Sequence, residues 1–223
     1  MLVRVKRDVD GGVMVEAAVM IPIIFVFLLG SVDFLFAFYQ WNAAAKAVQV
    51  GARIAAVSTP VANGLNALSN AVVGVSTPIG STMPYFKVTC SGAGTGTCSC
   101  STVDPLGGTG SCAGVSGYNA AAMNTIVYGR GGSTACNDAA SFYFVGMCEM
   151  FNRITPANVR IVYEQTGLGF AGRTGGPVPT ITVSLQNLPF QFFFLGGLLR
   201  FANIPTIPAS VTITGEDLST AAP

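Results

Sequence analysis

Two carboxylates stand where carboxylates are costly. Glu16 lies just inside the start of an apolar run and Asp33 interrupts it, within "EAAVMIPIIFVFLLGSVDFLFAFYQW" from Glu16 to Trp41. A charge in a low-dielectric medium persists only when something compensates it, so each asks for a partner. The other reactive side chains are six cysteines, Cys90, Cys98, Cys100, Cys112, Cys136 and Cys148, all beyond the apolar run. An even number confined to one side of a candidate membrane span indicates an oxidising compartment and disulfides, and spacing alone leaves the pairing open. A thiolate metal site at the "CSC" of Cys98 to Cys100 is disfavoured, because there is no second close pair and no histidine.

Catalytic patterns are missing. Without histidine neither a Ser/His/Asp nor a Cys/His arrangement can be built, and the acidic residues after the run are too scattered to nominate a carboxylate pair. "GLGFAG" gives Gly167, Gly169 and Gly172 a dinucleotide-type spacing, but "RTGGPVP" cannot begin the helix that such a site requires. "GRGG" at Gly129 to Gly132 lacks the lysine and hydroxyl residue of a phosphate loop and reads as a turn. The expectation is a non-enzyme with no cofactor and no metal. Eleven basic and ten acidic residues nearly cancel, so no basic field exists to attract nucleic acid.

The element that must position both carboxylates is a long helix. Ala17 to Tyr39, at ~1.5 Å per residue, is about 35 Å long, enough to cross a ~30 Å hydrocarbon core. Arg4, Lys6 and Arg7 precede it, which puts the amino terminus in the cytoplasm and the cysteines outside. Phe36, Phe38, Tyr39 and Trp41 suit the outer membrane interface. A removable signal peptide ending near Ala43 to Ala45 is disfavoured, since the acidic residues and the length exceed a signal core of roughly 7–15 residues. Beyond the membrane, Ala45, Val48, Ala52 and Ala55 share one helical face and Lys46, Gln49 and Arg53 the other. One helix from about Val13 to Val57 is predicted, with Pro22 and Gly30-Ser31 as bends and Pro60 beyond its end.

The stretch "GGVMVEAAVMIPIIFVFLLGSVDFLFAFYQWNAAAKAVQVGARIAA" resembles the amino-terminal signature of TadE-like pseudopilins of bacterial tight-adherence (Flp-type, type IV) pili. The matching elements are Gly11, Glu16 five residues on, the early Pro22, Asp33 before an aromatic-rich stretch, and Ala52-Arg53. The resemblance implies that a prepilin peptidase cuts on the cytoplasmic side between Gly11 and Gly12, the doubled glycine leaving the cut open by one residue. Glu16 then becomes the fifth mature residue, able to neutralise the new α-amino group of a neighbouring subunit. Its alternative role is that of a headgroup-level residue suited to the helix dipole. Cleavage would remove Arg4, Lys6, Arg7, Asp8 and Asp10 and leave as many basic as acidic side chains. Asp33 is read as an interfacial residue or one facing a partner helix.

After Pro60 the chain reads as a head. "ANGLNALSNAVVGVS" sets Leu65, Leu68 and Val72 at the spacing of a short amphipathic helix, and "YFKVT" from Tyr85 to Thr89 reads as a strand. Cys90 to Gly117 is rich in Gly, Ser, Thr and Cys and reads as disulfide-restrained loop, with a helix over Tyr118 to Val127. "VRIVYEQ", "TITVSLQ" and "ASVTITGED" alternate as half-buried strands, giving an antiparallel sheet of three or four strands. Leu188 to Phe201 is too short for a second span and reads as buried or interfacial, with an exposed Phe192-Phe193-Phe194 run as subunit or membrane contact the minority reading.

The fold expected is therefore α+β: a leader at 1–11, a transmembrane and stalk helix at 12–59, and a periplasmic head at 60–223. The function expected is that of a minor pilin or pseudopilin in the bacterial inner membrane, with other pilins, the inner-membrane assembly machinery, the prepilin peptidase and membrane lipid as partners. The alternative is an uncleaved, single-pass anchored binding module.

Overall fold

The computed structural model describes residues 9–74, 77–129, 134–136, 145–194, 196, 207–215 and 218. Helix α1, Val9–Ala56, runs without a break through Pro22 and through Gly30 and Ser31. Its outer part changes from large apolar residues to an alanine-rich face. Ala44, Ala47, Val48, Ala52 and Ala55 are buried there, while Lys46, Gln49 and Arg53 stay in solvent. The expected division of faces holds for Val48, Ala52 and Ala55, and Ala45 sits at its edge.

Among the described residues five strands form one sheet in the order β2-β1-β3-β4-β5, every neighbour antiparallel: β1 Lys87–Ser91, β2 Thr97–Ser101, β3 Val159–Glu164, β4 Thr180–Leu185 and β5 Ser210–Thr214. Alternation decides which face turns inward. Val159, Ile161 and Tyr163 of β3 and Ile181, Val183 and Leu185 of β4 are buried, with strands β4 and β5 packed on α1. Small alanines on the helix let the sheet come close, and the Tyr163 hydroxyl accepts the Val61 N–H at 3.1 Å, tying the chain just beyond α1 to the central strand.

Two expectations need correction. The sheet has five strands rather than three or four, because Thr97–Ser101, read as loop, is strand β2. Its polar "TCSCS" carries little apolar signal, and pairing to β1 is secured by a cross-strand disulfide between the directly opposed Cys90 and Cys98, whose Cα atoms are 4.1 Å apart. The amphipathic helix around Leu65 shrinks to a 3-10 turn, Leu65–Ala67, and a single turn α2, Leu68–Ala71. Leu65, Leu68 and Val72 are nonetheless buried, so the apolar spacing was read correctly as core.

Helix α3, Ala120–Tyr128, begins at Asn119, whose side chain accepts the Ala122 N–H at 3.1 Å. The one-turn α4, Met147–Met150, packs against α1 at Gly51, where a Cβ would collide with the Met147 side chain. Gly167, Gly169 and Gly172 all adopt positive φ in a loop that leads into β4, so no helix follows the glycine pattern.

Candidate assembly and anchoring site

The proposed chemistry rests on α1, whose two parts differ in environment. Every residue from Met14 to Leu28 is exposed, including Glu16 and Pro22, and Gly12 is exposed as well. This helix is long and apolar enough to cross a membrane, and almost none of its most apolar stretch is covered by the rest of the chain. Its length and composition are those of a membrane-anchor helix. Large apolar side chains all round a helix require apolar surroundings on every side, either lipid or other helices.

From Leu29 outward the head takes hold. Asp33 is fully buried, and its two carboxylate oxygens accept the backbone N–H groups of Phe193 and Phe194, each at 2.9 Å. One turn on, the Phe36 ring lies 4.7 Å from that of Phe193. One further turn on, Gln40 exchanges two hydrogen bonds with the backbone of Gln191, its Nε2 donating at 2.9 Å and its Oε1 accepting at 3.0 Å. Asp33, Phe36 and Gln40 are spaced i, i+3 and i+7, so they share one face and hold a single extended stretch of head. Sequence reasoning named Asp33 and passed over Gln40, although a glutamine on the same face seven residues later was a usable signal.

Arg153 completes the grip. Its Nη1 donates to Gln40 Oε1 at 2.8 Å and its Nη2 to the Pro189 carbonyl at 3.0 Å, with the guanidinium 5.6 Å from the Phe151 ring centroid. Burial lowers the Arg153 pKa from its ordinary value. No sequence motif announces this arginine, because its partners lie on two distant segments.

The cysteines pair in sequence order, Cys90 with Cys98, Cys100 with Cys112 and Cys136 with Cys148, and none is free. Of the apolar stretch Leu188 to Phe201, Leu188 is buried, Phe190 and Phe192 are half-buried, and Phe193 and Phe194 are exposed. Leu195 and residues 197–201 lie outside the described residues, as do 1–8 of the expected leader. Gly11 and Gly12 fall within α1, so the expected scissile bond and Glu16 sit on one continuous helix.

Residues 11–53 match the family model of TadE-like proteins. The match begins at Gly11 and ends at Arg53, the two ends of the signature, so this chain carries a TadE-like amino-terminal segment. No match to a curated protein or to a solved structure was found.

Proposed function

We propose that this chain, with its TadE-like amino-terminal segment, is a minor pilin or pseudopilin of a tight-adherence pilus system. It is a structural subunit, held in the bacterial inner membrane with its amino terminus in the cytoplasm and its disulfide-bonded head in the periplasm. The observation that carries the reading is the conjunction at one helix end. Glu16 is exposed at the start of an apolar helix that is bare from Met14 to Leu28, five residues after Gly11.

The steps are those that the TadE-like resemblance implies for such a helix. Prepilin peptidase cuts after Gly11, where a side chain would obstruct the scissile bond. Residues 1–11 leave and Gly12 gains an α-amino group. Lipid covers the bare helix while the subunit waits in the membrane. The assembly machinery then replaces lipid with the helices of other pilins, and Glu16 pairs with the α-amino group of a neighbour. Pro22 has no N–H to give the helix ladder, so it supplies a point where the helix bends to fit its neighbours.

The test uses two variants. Gly11→Val leaves a longer, uncut subunit in the membrane, whereas Glu16→Ala matures to the shorter form and loses crosslinks to partners. If Gly11→Val still yields a chain starting at Gly12, the requirement for Gly11 is refuted; if the parent chain itself keeps residues 1–11, processing at this bond is refuted, and the anchored binding module becomes the better reading.

A further inference from the structure

We infer that the Phe193-Phe194 turn of the head is a second membrane element, seated in the outer leaflet beside α1 and held there by Asp33. The inference rests on reading α1 as a membrane span with Glu16 near its inner edge. Measured from Glu16, Asp33 lies about 25 Å along the helix, short of the far side of a ~30 Å hydrocarbon core. Exposed aromatic rings mark that far side: Phe38, Tyr39 and Trp41 follow on α1, and Tyr39 lies about 9 Å beyond Asp33. The hydrogen bonds from Phe193 and Phe194 to Asp33 therefore put this part of the head below the aromatic ring, at the depth of acyl chains.

Two costs offset one another at that depth. Non-helical backbone in hydrocarbon is tolerated only when its polar groups are paired within the protein. A carboxylate at the same depth is tolerated only when donors surround it. Asp33 takes the N–H groups of Phe193 and Phe194, both at 2.9 Å, so the turn loses two unsatisfied donors and the carboxylate gains two. The Phe193 ring touches Phe36 on one side, yet Phe193 is 65% and Phe194 41% exposed, beside a helix whose Phe34 and Leu35 are exposed at the same level. The apolar surface of the span is thus continuous with that of the turn, and lipid is the occupant that fits both. Asp33 belongs in an apolar run because it pairs the backbone of a turn that enters the membrane with it.

The experiment places a single tryptophan at chosen depths in the full chain. In a Trp41→Phe background, Phe193→Trp and Phe27→Trp are reconstituted into phosphatidylglycerol and phosphatidylcholine vesicles. The phosphatidylcholine chains carry bromine near either the glycerol or the methyl end. The Phe193→Trp probe should lose most of its emission to bromine near the glycerol end and little to aqueous iodide. The Phe27→Trp probe, at mid-span, should be quenched most by bromine near the methyl end. Adding Asp33→Asn replaces one of the two accepting oxygens with an NH2 group, so one of the two backbone N–H groups meets a donor, which should loosen the turn and open the Phe193→Trp probe to iodide. If Phe27→Trp is quenched by lipid while Phe193→Trp is quenched only by iodide, or is shielded from both by a second copy, the turn is not a lipid element. If Phe27→Trp also escapes lipid quenching, the span itself is misread. Lipid quenching of Phe193→Trp that survives Asp33→Asn overturns the role given to Asp33.

Discussion

The inner and outer parts of α1 are the same helix with opposite solutions to burial. From Met14 to Leu28 it is wide, apolar and bare on all sides. From Ala43 to Ala56 it is narrow and two-faced, with alanines against the sheet and Lys46, Gln49 and Arg53 in solvent. The outer half finds its apolar partner within its own chain. The inner half has none there, and a helix of that composition must be covered by lipid or by other subunits. Between the two, Asp33 and Gln40 are polar residues that bond backbone groups of the head, and Gln40 also the Arg153 side chain, so hydrogen bonds add to the Phe36–Phe193 ring contact in fixing the junction.

The sharpest way to break this comparison is to truncate one large side chain in each part. Ile161→Ala, beneath the sheet, should destabilise the head by about 2–5 kcal/mol, because the cavity adds to the lost transfer energy. Phe27→Ala should leave the stability of the head within about 0.5 kcal/mol of the parent while lowering the yield of crosslinked partners. Equal loss of head stability in both variants, followed by circular dichroism on heating, would mean that the inner half is part of the folded unit after all.

Reduction tests how the polar end of the sheet is held. The protein should resist thiol alkylation until reduced, and each disulfide removed should cost about 2–3 kcal/mol given the short loops enclosed. Freely reactive thiols in native material would contradict the pairing. A smaller loss, about 1–3 kcal/mol, is expected for Tyr163→Phe, which leaves the buried Val61 N–H without its acceptor. Because Val61 follows the stalk, that variant should loosen the outer end of α1 before the sheet, a difference visible in amide hydrogen exchange.

How much of this could be read from the chain alone depended on whether a feature was local. The span, the amphipathic face after Ala43 and the strands β3, β4 and β5 announce themselves through period and length. Strand β2 did not, since "TCSCS" is polar in composition and its pairing is set by a disulfide partner eight residues away. The site divided the same way. Gly11, Glu16 and Pro22 were legible as a linear signature, and Asp33 was legible as an anomaly. Its partners were not, because Phe193 and Phe194 come together with it only after the head folds back 160 residues later. Arg153 was missed for that reason too, whereas Gln40 carried a local signal, its place on the Asp33 face, that went unused.

A weaker effect follows from the end of the central strand β3. Partial burial and then the hydrogen bond to Glu164, 2.8 Å away, raise the Tyr85 pKa to about 12. Burial raises Tyr163 in the same direction, against the hydrogen bond from Val61. A phenol whose folded pKa is raised stabilises the fold fully below its ordinary value near about 10, and that contribution is lost as pH climbs towards 12. The head should therefore lose stability between about pH 10 and about pH 12, with a shallower decline in Tyr85→Phe. An identical decline in that variant would remove Tyr85 from the explanation.

The most direct test of the central claim is the mature amino terminus combined with partner capture. Mass spectrometry of protein purified from its membrane should give a chain beginning at Gly12, and Glu16→Ala should give the same terminus. Leaving a buried charge unpaired costs about 3–5 kcal/mol, so crosslinking of Glu16→Ala to partner subunits should fall by orders of magnitude while its head melts like the parent's. A Glu16→Ala protein that starts at Gly12 and crosslinks as well as the parent would contradict the account, leaving Glu16 a helix-start residue with no part in assembly.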